Sequence, residues 1–183
     1  MNNSCALIGL GNVMFMDDGL GIYAAEYIKQ NYETPLNLCV LDGGGLGFTL
    51  MTYFQEYAKV IIISTTSVDG KSGDIFSFTK DELMSQGSTR SSANEVEAVM
   101  MLEICSILDD EMADVSIVSM KPHDIIPVKT DLTNEVQEKF PDFIELILDS
   151  LKTSGIKLEP KKELVSLQEI LDNFSNPTQS IHI

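Results

Sequence analysis

Residues 5–21 read Cys-Ala-Leu-Ile-Gly-Leu-Gly-Asn-Val-Met-Phe-Met-Asp-Asp-Gly-Leu-Gly, and this stretch sets the fold. The apolar run 5–8 has the length and continuity of a buried strand. Glycines at 9, 11, 19 and 21 mark a turn, and helical periodicity begins at Gly21, with Tyr23, Ala24, Tyr27 and Ile28 on one face. Strand, glycine-rich turn and helix in that order open a βα unit. The turn holds two adjacent carboxylates, Asp17 and Asp18, and no Lys or Arg. It therefore suits a cation better than a phosphate.

The same alternation continues outward. Residues 6–9, 38–41, 59–64, 73–79 and 115–120 read as strands, the 59–64 run (Lys-Val-Ile-Ile-Ile-Ser) being the most β-branched. Helical spacing runs through 21–32, 48–57, 95–108 and 136–151, with a bend expected at Pro141 and a capping box expected between Ser92 and Glu95. Continuous apolar strands separated by helices predict a three-layer α/β sandwich, with a mostly parallel twisted sheet of about five strands flanked by helices. That pattern is complete by Leu151, which predicts a domain over 1–155 and an appendix over 156–183. The appendix carries an amphipathic stripe (Leu164, Leu167, Ile170, Leu171, Phe174) that either docks on the domain or binds a partner.

A chain of 183 residues with 44% hydrophobic and 22% charged residues can bury one substantial core. Its formal net charge of −16 disfavours nucleic acid. The N-terminus lacks a basic secretory n-region, and no apolar run nears the roughly 20 residues of a membrane span. Cys5, Cys39 and Cys105 follow no metal-ligand spacing and are expected as reduced thiols of a cytoplasmic protein.

Ligands of open parallel sheets bind beyond the carboxyl ends of the strands. The expected ends are the turn with Asn12, Asp17 and Asp18, then Asp42 before Gly43, Gly44 and Gly45, then Ser64-Thr65-Thr66, then Pro122-His123-Asp124. Three carboxylates and a histidine could thus share one rim. Two alternatives remain open. An Asp pair before a helix can be an N-terminal cap, and the glycines after Asp42 can simply form a turn.

Gly9-Leu10-Gly11-Asn12 followed by the acidic pair and Gly19-Leu20-Gly21, then Leu41-Asp42-Gly43-Gly44, resembles the hydrogenase maturation endopeptidase family. The segment Ile117 to Pro122 and Leu132-Thr133 before a last helix follow the same layout, over roughly residues 4–152. The resemblance implies an endopeptidase that removes the C-terminal extension of a nickel-containing hydrogenase large subunit, acting on its precursor in the cytoplasm without inserting into membranes. The alternative is a non-catalytic member that binds the precursor as a maturation chaperone. Asp18 and Asp42 become the expected catalytic residues, with Gly11, Asn12, Asp17, Gly43 and Gly44 contacting substrate.

Family members hold metal with an acidic residue in the first loop, an Asp ending the third strand and a His before the next helix. Those positions fall here on Asp18, Ser64 and Asn94. Neutral oxygens at two of the three predict no tightly bound metal of the chain's own, the nickel being carried by the substrate. His123 is the one residue that could restore a nitrogen ligand.

Overall fold

The computed structural model describes residues 4–44, 47–85, 93–108 and 112–176. Strand β1 (Cys5–Gly9) leads through a short 3-10 turn (Met16–Gly19) into α1 (Leu20–Asn31). There follow β2 (Tyr32–Glu33), β3 (Leu38–Asp42), α2 (Leu50–Glu56), β4 (Lys59–Thr65), β5 (Ile75–Thr79) and α3 (Lys80–Ser85). The chain continues with α4 (Ala93–Leu108), β6 (Asp114–Met120), α5 (Asn134–Thr153), β7 (Glu159–Pro160) and α6 (Leu167–Ser175). The main sheet has the order β3-β1-β4-β6-β5, parallel except for the β5–β6 pair. The predicted three-layer α/β architecture is the one observed.

Strand alternation divides the core into two layers. Leu7, Ile61, Ile63, Val118 and Met120 face the layer of α1, α5 and α6, whereas Ile8, Val60, Ile62, Val115 and Ile117 face that of α2 and α4. Glycines allow α1 to lie close on the sheet: a Cβ on Gly9 would strike the Gly21 carbonyl. Helix α5 runs unbroken through Pro141.

Residues 156–175 correct the predicted division. Ile156, Ile170 and Leu171 are buried in the same core as α1 and α5. The Phe174 ring meets Tyr23 edge-on at 5.3 Å. Asn31 donates to the Val165 carbonyl and accepts from its N–H at 2.6 Å, and β7 pairs with β2. A true capping box at Ser166 and Glu169 starts α6. Leu167, Ile170, Leu171 and Phe174 of the stripe pack on the chain's own core, whereas Leu164 stays exposed.

Candidate functional site

The first loop is built as a rigid rim. Gly11 has φ +151, and a Cβ there would collide with the Asp18 carbonyl oxygen, which also accepts from Asn12 N–H at 3.2 Å. Asn12 is exposed and its Oδ1 accepts from Met14 N–H at 3.0 Å, while the buried Tyr23 hydroxyl donates to the Val13 carbonyl at 3.1 Å. Met16, with φ 47, occupies the left-handed region that side chains usually avoid.

Asp17 and Asp18 take opposite parts. Asp17 is fully buried, and its carboxylate accepts from His123 N–H (2.9 Å), Asp124 N–H (3.0 Å), Thr133 N–H (2.7 Å) and Thr133 Oγ1 (2.8 Å). Among the described residues no cation pairs with it; its charge rests on peptide dipoles, including those at the start of α5. Thr133 is the N-cap of α5 yet makes no cap bond of its own. Asp17, expected to contact substrate, here clamps the first loop to the segment after β6. Asp18 stays partly exposed and accepts from Thr65 Oγ1 at 3.4 Å.

The second loop lies against the first. Gly43 donates to the Gly9 carbonyl at 2.8 Å, and Gly44 sits against the Gly11 carbonyl. Asp42 is exposed and accepts from Gly44 N–H at 2.8 Å. It lines a cleft of about 240 Å³ with Ile22, Glu26, Lys29, Val40 and Phe174.

Ser64 and His123, two of the remaining predicted ligands, have their partners elsewhere. Ser64 is buried, and its hydroxyl donates to the Thr65 carbonyl at 3.0 Å. Its even position on β4 turns it toward the α4 layer, whereas Thr65 faces Asp18. His123 is exposed, with Nδ1 3.2 Å from Ser72 Oγ and 3.9 Å from Glu135. Asp17 holds the His123 backbone, which leaves the ring over the surface. The side chain of Asn94 lies outside the described residues, as does Ser92. Among the described residues, no group of three His, Cys, Asp or Glu could hold a metal ion.

Glu95, expected only as a capping partner, is buried and accepts from Thr66 Oγ1 (2.6 Å), Ser67 N–H (3.0 Å) and Ser67 Oγ (2.7 Å). It ties the end of β4 to the first turn of α4. The signal was present in the spacing: Glu95 falls on the buried stripe of Ala98, Leu102 and Cys105.

The sequence model described as hydrogenase maturation protease matches residues 22–150, beginning just after Asp17 and Asp18 and ending before residues 156–175. The hydrogenase expression/formation protein HupD of Rhizobium leguminosarum is 22% identical over 168 residues, 91% of this chain and 83% of that protein. Protein HydD of Wolinella succinogenes is 30% identical over 142 residues, 75% of this chain and 88% of that protein. The hydrogenase maturating endopeptidase HybD of Escherichia coli superimposes with a TM-score of 0.79 at 22% identity, over 86% of this chain and 98% of that one. At that identity the superposition speaks for the fold.

Proposed function

The chain belongs to the hydrogenase maturation protease family, and on that premise we propose that it removes the C-terminal extension of a nickel-containing hydrogenase large subunit, with Asp18 as its catalytic carboxylate. The observation that carries this reading is the division of labour in the acidic pair. Asp17 is consumed in holding the loop, and Asp18 is thereby presented at the strand ends, beside glycines that let a substrate backbone approach. Removal of the extension is hydrolysis of one peptide bond. A water between Asp18 and the scissile carbonyl would lose a proton to the carboxylate as it attacks, and Asp18 would pass that proton to the leaving amine as the C–N bond breaks. The chemistry is thus that of an aspartic endopeptidase with a single acting carboxylate. Asp42, anchored by Gly44, would orient the substrate backbone from the second loop.

Nickel enters as part of the substrate. A tight resident metal does not suit this donor set, since the Ser64 hydroxyl is engaged by backbone and His123 stands over the surface among Ser72 and Glu135. Nickel on the precursor would then mark which chain is ready to be cut. We place the reaction in the cytoplasm, in keeping with three cysteines that form no disulfide. No helix among the described residues is long and apolar enough to cross a membrane.

The test is incubation of the purified protein with nickel-loaded large-subunit precursor, followed by intact-mass measurement. Loss of one C-terminal peptide from the nickel-loaded precursor, with the nickel-free precursor left whole, is the expected result. A precursor that is bound yet keeps its full mass would overturn cleavage and favour binding alone.

A further inference from the structure

The edge of the main sheet nearest the first and second loops is open. Strand β3 pairs only with β1 among the described residues. Cys5 donates to the Asn37 carbonyl and Gly43 donates to the Gly9 carbonyl, so in a parallel ladder the odd residues of β3 point their backbone groups at β1. The N–H and C=O of Val40 and the N–H of Asp42 therefore point outward, ready for another strand. The side chains of Val40 and Asp42 share one face, that of the 240 Å³ cleft walled by α1 and by Phe174 of α6. The cleft's Glu26 and Lys29 pair at 3.6 Å, and Asp42 makes no ion pair among the described residues.

We propose that the C-terminal extension of the large subunit binds as an added strand along β3, with an apolar side chain level with Val40 against Ile22 and Phe174 and a basic one level with Asp42. Main-chain bonds of this kind supply affinity without regard to sequence, and alternate side chains supply the choice. The charge of the cleft selects the occupant: one uncompensated carboxylate above an apolar wall suits an extended basic-apolar peptide. The strand leads straight into Asp42 and Gly43, and Gly43 and Gly44 abut the loop that carries Asp18, so a peptide held there has its backbone delivered to the rim. It also gives α6, which lies outside the residues the family's sequence model matches, a part in substrate binding through Phe174. This proposal rests on the endopeptidase reading above.

The probe is a synthetic peptide spanning the end of the large subunit encoded in the same genome, added to the full chain and followed by amide hydrogen exchange. Exchange at Val40 and Asp42 should slow at least tenfold, with little change at Cys39 and Leu41, whose amides already face β1. Val40→Pro deletes an outward N–H without removing a ladder bond. It should raise KM for the precursor about tenfold with kcat nearly unchanged, and Phe174→Ala should raise KM severalfold. Should Val40→Pro fail to fold, the exchange result on the unaltered chain decides. Bound peptide that leaves Val40 and Asp42 exchanging freely, or Val40→Pro with unaltered KM, overturns the strand while leaving the protease reading intact. Protection of both amides in the free chain at high concentration would assign the edge to a second copy and overturn it too. An unaltered chain that neither binds nor cleaves precursor overturns both readings.

Discussion

Asp17→Ala should be among the most damaging single substitutions in the chain. The carboxylate is fully buried and serves four donors, three of them backbone N–H groups. Truncation strands His123, Asp124 and Thr133 N–H groups, and the Thr133 hydroxyl can turn elsewhere. A stranded buried donor costs about 1–3 kcal/mol, and removing one side of a buried charged network about 3–5 kcal/mol in all, the terms not being additive. For a chain of this size, about 4 kcal/mol corresponds to a fall in Tm of about 10–15 °C. Asp17→Asn keeps the shape and one acceptor oxygen but turns an NH2 toward donors, so it should cost about half as much. Urea unfolding of both variants by circular dichroism measures the loss. The damage should also be local: amides of residues 123–133 and of the first loop should exchange faster than those of β4. An Asp17→Ala variant within about 1 kcal/mol of the unaltered chain would refute the clamp.

Glu95→Ala should cost about 2–4 kcal/mol by removing a buried acceptor of Thr66 and Ser67 at the end of β4, and Glu95→Gln distinctly less; thermal melts rank the three proteins. Removing residues 156–183 should destabilise the chain by about 5 kcal/mol or more, since Ile156, Ile170 and Leu171 each lose a fully buried side chain worth roughly 1.5–3 kcal/mol; a truncated chain that melts at the original temperature would show α6 to be dispensable. Burial pushes the Cys5 thiol up to about 11 from 9.0, with Lys59 opposing weakly. The folded state therefore keeps this proton longer than the unfolded one, and its contribution is full below pH 9 and lost as pH rises toward 11. Stability measured at pH 8 and at pH 10.5 should fall, and Cys5→Val should flatten part of that slope.

The sheet is legible because parallel strands buried on both faces carry apolar runs, continuous over residues 60–63 and broken over 115–120 only by Ser116 and Ser119. The two-stranded β2–β7 pair is not, because two residues carry no periodicity and Tyr32 pairs with Pro160 from the far end of the chain. Residues 164–174 show an apolar stripe but not its cover, which comes from far along the chain, with Tyr23 of α1 meeting Phe174 edge-on. In the acidic pair, sequence marks both residues alike. What separates them is that Asp17 lies under the turn facing Thr133, 116 residues away, while Asp18 lies on top of it. His123 is marked by its place after a strand; its backbone N–H is held by Asp17, and its ring lies at the surface beside Ser72 and Glu135. Glu95 was legible in principle, as a carboxylate on a buried helical stripe, and was read only as a local cap.

In the proposed reaction Asp18 does the chemistry on a rim that Asp17 holds in place. The direct measurement is processing of nickel-loaded precursor by Asp18→Asn, followed by intact mass at fixed times, with the Tm of the variant determined alongside. An acting carboxylate contributes about 10²–10⁴-fold to such a step, whereas a helix-capping Asp contributes about 0.5–2 kcal/mol of stability and little else. The account predicts a Tm within a few degrees of the unaltered chain and a cleavage rate at least a hundredfold lower, with precursor binding retained. An Asp18→Asn variant that melts earlier yet processes the precursor at the full rate would contradict it.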